Sequence, residues 1–352
     1  MNWIHSSSYI IGKYIVNNNH KHDNKIAGFD LDNTLIKTKF GNIFPKNKDD
    51  WMFLYPNIVT EIKKLHDEGF HIVIITNQKN LKNIEEWKQK IVNICDKFDV
   101  NIDIYISLID DKYRKPRMNL WREYINIYTP ESFYCGDACG RKLDHNDTDY
   151  KFALNLKIKF ISPEFLFLSQ NDISSYSVKY PKIQNIISDG YFFNIGNVNQ
   201  ELIIMVGPPG AGKSYYSKKY INNYEYINRD TEKTISKCIK LCENYIKLKK
   251  NIVIDNTNPS IKSRKSFIDI AKKYNIQIRC ILFTTPIEIC MHNNVYRNLT
   301  SECNIIPKIA YNMYNKNYEK PCREEGFDRV IEQEFLLDTK NIDNNIYSMY
   351  LF

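Results

Sequence analysis

From Lys25 onward, short apolar runs alternate with amphipathic stretches, and this rhythm predicts strands alternating with helices. The first series of predicted strands is Ile26–Phe29, His71–Ile75, Ile102–Ser107, Ser132–Cys135 and Ile158–Ile161, with helices such as Ile58–Glu68 and Asn83–Phe98 between them. Residues 1–24 are polar and rich in Asn and His after Tyr14-Ile15-Val16, and read as a strand or extended lead-in. Across Gln170–Gln200 the rhythm breaks, where Asn171-Asp172-Ile173-Ser174-Ser175 and Ile195-Gly196-Asn197 are turn-rich. A second series follows, with strands at Leu202–Val206, Tyr226–Ile227, Ile252–Asp255 and Ile278–Phe283. Its helices run roughly over Lys213–Ile221, Glu232–Leu248, Ser260–Tyr274 and Ile287–Arg297. Alternation of this kind argues for parallel sheets covered by helices on both faces. The expected fold class is α/β, two doubly wound parallel-sheet domains. The expected organisation is a lead-in over 1–24, a first domain over 25–169, a linker over 170–199 and a second domain over 200–352.

A length of 352 residues agrees with two domains. The net charge of +8 suits a polyanionic partner, yet the basic residues are spread along the chain, so an ordinary solvated surface stands beside nucleic acid as an explanation. No apolar run is long enough to span a bilayer, and Met1-Asn2-Trp3-Ile4-His5-Ser6 lacks the layout of a secretory signal. The nine cysteines include no C-x-x-C pair and no zinc-like cluster, which points to reduced, mostly buried thiols in an intracellular protein. The dispersed histidines receive no catalytic assignment.

Chemistry enters most sharply at Gly207-Pro208-Pro209-Gly210-Ala211-Gly212-Lys213-Ser214, which fits G-x-x-x-x-G-K-[ST] between a predicted strand and a predicted helix. Gly207, Gly210 and Gly212 would let backbone N–H groups cradle nucleotide phosphates, Lys213 would reach them, and Ser214 would ligate Mg²⁺. Asp230, in Asn228-Arg229-Asp230 after the next strand, is placed to act as a general base or simply to cap the helix that follows. Asp255 ends a strand where a metal-supporting acid would stand, and Asn256 and Thr257 would line an acceptor pocket. Arg297, at a helix end, reads as a lid cation or as plain surface.

The first half carries Asp30-Leu31-Asp32-Asn33-Thr34 just past an apolar strand, where ligands gather in open α/β sheets. Two carboxylates so close call for a hard cation such as Mg²⁺, although a capped turn uses the same residue types. Thr76-Asn77-Gln78 ends the second strand, Arg114-Lys115-Pro116 follows the third, and Gly136-Asp137 ends the fourth. Thr76, Asn77 and Gln78 offer a hydroxyl and amides to a phosphate, Lys115 a cation and Asp137 a further carboxylate. In the acidic run Asp144–Asp149, Asp144 and Asp149 read equally well as metal support and as a solvated loop.

In this order the four motifs resemble those of the haloacid-dehalogenase-like phosphatases. The resemblance implies that Asp30 is the nucleophile and Asp32 the acid–base group. It implies Mg²⁺ on Asp30, Asp137 and the backbone carbonyl of Asp32, and phosphoryl oxygens held by Thr76 and Lys115. Over residues 25–335 the chain resembles the polynucleotide kinase 3′-phosphatases of the animal type. "AGFDLDNTLI", "TNQ", "YRKP", "CGDACGR", "GPPGAGKS", "INRDT", "IDNTNP", "HNNVYRN" and "EEGF" follow one another in that family's order. The resemblance implies a P-loop kinase after the phosphatase. It implies 3′-phosphate removal and ATP-dependent 5′-hydroxyl phosphorylation at DNA or RNA ends, with Asp230 as kinase base and ligase or repair-complex partners. There are departures. No room precedes Lys25 for the forkhead-associated domain many relatives carry, Asn33 stands where they have Gly, and Val295 replaces a first arginine whose companion is Arg297. Two other readings remain at this point: a small-molecule phosphatase fused to a metabolite kinase, and a catalytically silent end-binding module.

Overall fold

The computed structural model describes residues 1–17, 24–43, 45–79, 81, 83–126, 128–180, 200–301 and 303–352. It divides into two compact units, one of Met1–Tyr180 with Met349–Phe352 and one of Pro181–Ser348. Most of the expected linker, including the turn-rich Ile195-Gly196-Asn197, lies outside the described residues. Residues 170–180 belong to the first unit, and so do the last four residues, which a linear reading had assigned to the second domain.

In the first unit the strands are β1 (Asn2–His5), β2 (Tyr9–Tyr14), β3 (Lys25–Phe29), β4 (Ile36–Lys37), β5 (Met52–Phe53), β6 (Phe70–Asn77), β7 (Ile102–Ser107), β8 (Phe133–Cys135) and β9 (Lys159–Ile161). Seven of them form a sheet in the order β1-β2-β7-β6-β3-β8-β9, and β4 pairs with β5. The pairs β7–β6, β6–β3, β3–β8 and β8–β9 are parallel. The amino-terminal stretch is more than a lead-in: β1 and β2 form an antiparallel hairpin that lies antiparallel along β7, so this sheet is mixed. Ile10 and Ile11 are buried there, which covers an edge that would otherwise expose its backbone.

Successive strand residues face opposite sides, and both sides are packed. Ala27, Phe29, Ile72, Ile74, Ile104 and Ile106 meet Ile58, Ile62, Ile91 and Ile94 from helices Ile58–Asp67 and Ile84–Phe98. Ile26, Val73, Ile75, Tyr105 and Tyr134 meet Trp121, Phe152 and Leu156 on the other side. The parallel strands therefore share one carboxyl end, where Asp30, Thr76 and Asp137 are delivered.

The second unit holds β10 (Glu201–Val206), β11 (Glu225–Ile227), β12 (Ile252–Ile254), β13 (Gln277–Phe283) and β14 (Arg329–Gln333), all parallel, in the order β11-β12-β10-β13-β14. Leu202, Ile204 and Val206 pack with Cys238, Cys242 and Phe267 on one face. Ile203 and Met205 pack with Tyr216, Cys290 and Tyr311 on the other. The expected helix over Glu232–Leu248 is two pieces, Arg229–Glu232 and Ile235–Lys247, because Thr234 breaks the run by capping Lys237 N–H. Among the described residues no helix is long and apolar enough to cross a membrane.

Candidate active sites

At the carboxyl end of the first sheet, Lys115 is the hub. Its buried ammonium donates to Asp30 Oδ1 at 2.6 Å, to Asp149 Oδ1 at 2.7 Å and to the Tyr134 hydroxyl at 2.7 Å, and Tyr134 in turn donates to the Ile75 carbonyl at 2.8 Å. Burial alone would lower the lysine's pKa, but Asp149 and Asp30 outweigh it and the net shift is upward, so the ammonium keeps its charge. Asn77 is spent on this lysine. Its Oδ1 accepts the Lys115 N–H at 3.0 Å and its Nδ2 donates to the Lys115 carbonyl at 3.1 Å, so the expectation that Asn77 offers its amide to substrate is corrected to one of positioning.

Asp137 completes the acidic group. Its N–H donates to Thr34 Oγ1 at 3.1 Å, which ties the end of β8 to the Asp30 loop. Carboxylate oxygens of Asp30, Asp137 and Asp149 come within 4.8 Å of one another. Burial, chiefly, and mutual repulsion push Asp137 up to about 8; burial, opposed by Lys115 and reinforced by Asp149, pushes Asp30 up to about 7. Three carboxylates crowded against one ammonium fit a divalent hard cation, which would allow all of them to stay ionised. Asp144 is elsewhere: it accepts from the N–H groups of Cys139 and Arg141 and from the Arg141 guanidinium, closing the loop.

The Asp32 carboxylate stands outside that group and is half exposed. Gln78 Nε2 donates to its Oδ2 at 2.6 Å and to Thr76 Oγ1 at 3.1 Å, while Lys90 Nζ lies 3.8 Å from its Oδ1. Asn33 takes φ 56°, a conformation asparagine tolerates, so the departure from glycine is accommodated. Thr76 is buried at the end of β6, with its hydroxyl beside Gln78. Gln78, read in the sequence with Asn77 as an amide facing a phosphate, is turned to Asp32 and Thr76. Sequence reasoning missed Tyr134 and Lys90, for which it held no signal.

In the second unit, residues 207–214 link β10 to helix Lys213–Tyr220. Gly210 has φ 79° and Gly212 φ 98°, and a Cβ on Gly210 would lie 2.3 Å from the Cys290 carbonyl oxygen, so the loop requires glycine there. Gly207 N–H donates to the Thr257 carbonyl at 3.2 Å, and among the described residues no protein group accepts from the N–H groups of Gly210, Gly212, Lys213 or Ser214. That free donor set fits an oligophosphate. The Lys213 ammonium donates to the Gly207 and Pro208 carbonyls at 2.9 and 2.8 Å, and burial pushes its pKa down against the pull of Asp255 and Asp230.

Ser214 Oγ and Tyr226 OH both donate to Asp255 Oδ2 at 2.5 Å. Asp255 therefore belongs to the serine side of the loop. Asn256 Oδ1 accepts the Arg229 N–H at 2.8 Å, bringing the Asp230 turn against the end of β12, while Asn256 Nδ2 is buried with no acceptor among the described residues. Asp230 N–H is capped by Asn228 Oδ1 at 2.7 Å, which leaves the exposed Asp230 side chain for other work. Thr257 contributes its carbonyl to Gly207. Arg297 is exposed on helix Ile287–Thr300 and close enough to oppose the Lys213 charge, whereas Val295 is turned into the core.

Residues 25–167 match the family described as polynucleotide kinase 3 phosphatase, and residues 202–321 match the one described as AAA domain. The bifunctional polynucleotide phosphatase/kinase of Schizosaccharomyces pombe is 38% identical over 348 residues, covering 95% of this chain and 84% of its own length. A putative bifunctional polynucleotide phosphatase/kinase of Acanthamoeba polyphaga mimivirus is 34% identical over 399 residues, covering 98% and 92%. The polynucleotide 3′-phosphatase ZDP of Arabidopsis thaliana is 35% identical over 172 residues, covering 41% of this chain and 24% of the plant protein.

Proposed function

This chain belongs to the bifunctional polynucleotide phosphatase/kinase family, and we propose that it removes 3′-phosphates and phosphorylates 5′-hydroxyls at nucleic-acid ends, readying DNA breaks for ligation. The observation that carries the reading is the buried Asp30–Lys115–Asp149 group at one sheet end together with the free N–H groups of Gly210, Gly212, Lys213 and Ser214 in the other unit.

In the phosphatase reaction an Asp30 oxygen attacks phosphorus, forming an aspartyl-phosphate while the 3′-oxygen departs with a proton from Asp32. Water then attacks phosphorus, gives its proton to Asp32 and frees Asp30 and inorganic phosphate. Lys115 holds phosphoryl oxygens and keeps Asp30 aimed, and Thr76 supplies a hydroxyl. In the kinase reaction Asp230 takes the proton of the 5′-hydroxyl as its oxygen attacks the γ-phosphorus of ATP. Lys213 and Arg297 balance the charge on the phosphoryl oxygens, and the Asn256 amide is available to the acceptor. Mg²⁺, held by Asp30, Asp137, Asp149 and the Asp32 carbonyl in one unit and by Ser214 with Asp255 in the other, would supply charge neutralisation at the phosphoryl oxygens. Free thiols, seven of them buried and two (Cys303 and Cys322) exposed, suit a reducing compartment.

Labelled DNA and RNA oligomers with 3′-phosphate and 5′-hydroxyl termini, incubated with Mg²⁺ with and without ATP, test this. Asp30→Ala should abolish 3′-phosphate release and spare 5′ labelling; Lys213→Ala should do the reverse. Turnover of small phosphate esters with no activity on either oligomer would favour a metabolite enzyme instead.

A further inference from the structure

Helix Ile84–Phe98 turns Ile91, Ile94, Cys95 and Phe98 inward, and with them Lys90, which is only 3% exposed. A buried ammonium demands carboxylate company. The carboxylates that act on Lys90 are Asp32 and Asp50. Asp50 is already committed: its two oxygens accept the N–H groups of Lys39 and Lys46 at 3.0 and 2.9 Å and close the loop between β4 and β5. Asp32 is not so committed, because its side chain remains 49% exposed and, among the described residues, its Oδ2 takes a single bond, from Gln78. Lys90 thus stands 3.8 Å from Oδ1 of an acid–base carboxyl whose other oxygen is already held.

We propose that Lys90 is a positioning residue for the phosphatase reaction, holding the Asp32 carboxyl over the departing oxygen. The proposal rests on the reading of Asp32 as the proton donor. In phosphoenzyme formation the bond from phosphorus to the 3′-oxygen breaks and a bond to an Asp30 oxygen forms. The 3′-oxygen takes the Asp32 proton, leaving a 3′-hydroxyl and an Asp32 carboxylate beside the Lys90 ammonium. An alkoxide needs that proton. A nitrophenolate leaves without one, so misplacing Asp32 harms only the first kind of leaving group.

The test is single-turnover phosphoenzyme formation from a 3′-phosphate oligonucleotide and from p-nitrophenyl phosphate, with 5′-kinase activity followed in parallel. Lys90→Met should slow the oligonucleotide step by about tenfold or more. Its nitrophenolate burst, the internal check on folding of this unit, should stay within about twofold, with oligonucleotide binding unchanged. Lys90→Arg should restore most of the loss. An equal loss on both substrates, or none on either, overturns the proposal. Asp32→Asn separates the two layers. If it is selective for the oligonucleotide while Lys90→Met is not, only the role of Lys90 falls. If it slows both substrates alike, the reading of Asp32 falls and this proposal with it.

Discussion

A Cβ placed on Gly136 would lie 2.3 Å from Oδ2 of Asp149. Asp149 Oδ2 also accepts the Ala138 N–H at 3.2 Å, and its Oδ1 holds Lys115, so the carboxylate has nowhere to retreat without releasing the lysine. Gly136→Ala should therefore misplace Asp149 and Lys115 together. The expected outcome is loss of 3′-phosphatase turnover by about a hundredfold or more, since displaced catalytic groups lose rate steeply. Overpacking should cost the first unit about 1–3 kcal/mol. The 5′-kinase rate should be unchanged, and phosphate release with thermal unfolding of the same preparation measures both effects.

The carboxylate group itself predicts a metal response. At saturating Mg²⁺, about a hundred times the dissociation constant, binding to the folded state alone would add about 2.7 kcal/mol. For a unit of this size that is a rise of roughly 5–10 °C in the unfolding temperature of the first unit. Asp137→Asn should remove most of the rise, and chelation should reverse it. An equal rise in Asp137→Asn would place the ion elsewhere. Calorimetry of both proteins with and without Mg²⁺ reads the difference.

Asp30, Thr76, Lys115 and Asp137 were legible because each follows an apolar run that had to be a strand, and parallel strands bring such positions to one end. Gly207–Ser214 was legible because backbone geometry there dictates residue type. Asp149 was not separable from Asp144 in a run of acids; only the fold turns one toward Lys115 and the other toward Arg141. Lys90 was invisible because a lysine on an amphipathic helix reads as surface. The β1–β2 hairpin depended on an open edge of β7, a partner distant in sequence, and β14 (RVIEQ) has the half-polar composition of an edge strand that periodicity does not flag. Asn77 was seen but misassigned, since an amide beside Thr76 offers the same groups to a phosphate as to the Lys115 backbone.

His292 predicts a pH effect in the second unit. It is fully buried on helix Ile287–Thr300, edge-on to Tyr347 with ring centroids 4.5 Å apart, and burial pushes its pKa down to about 3. Folded, it stays neutral while the unfolded chain takes up a proton below about pH 6.5. Protons therefore favour unfolding between about pH 6.5 and 3: stability is intact above that window and falls as pH drops through it. From pH 6.5 to 5 one such group removes about 2 kcal/mol. Urea unfolding at both pH values should show His292→Leu losing less than the parent protein by about that amount, and equal losses would remove His292 as the cause.

The last four residues supply a further test, because they complete the first unit by holding the segments beside its reactive group. Asn155 accepts the Tyr350 N–H at 2.8 Å and donates both to the Tyr350 carbonyl at 2.7 Å and to the carbonyl of Pro116, next to Lys115, at 2.9 Å. Arg117 Nε donates to the Leu351 carbonyl at 3.0 Å, and Tyr180 OH accepts the Leu351 N–H at 2.7 Å, with the Leu351 side chain fully buried. Asn155 and Lys151, which donates to the Phe352 carbonyl at 2.7 Å, lie on the helix that also carries Asp149. Removing residues 349–352 forfeits a buried leucine and several hydrogen bonds, a loss of roughly 3–5 kcal/mol to the first unit. It also frees the Lys115 loop and the Asp149 helix to move independently. The truncated protein should lose 3′-phosphatase activity at a temperature at which the full chain keeps it, while its 5′-kinase inactivation temperature stays where it was. Coincident inactivation of both activities would mean that the four residues do not act on the first unit alone.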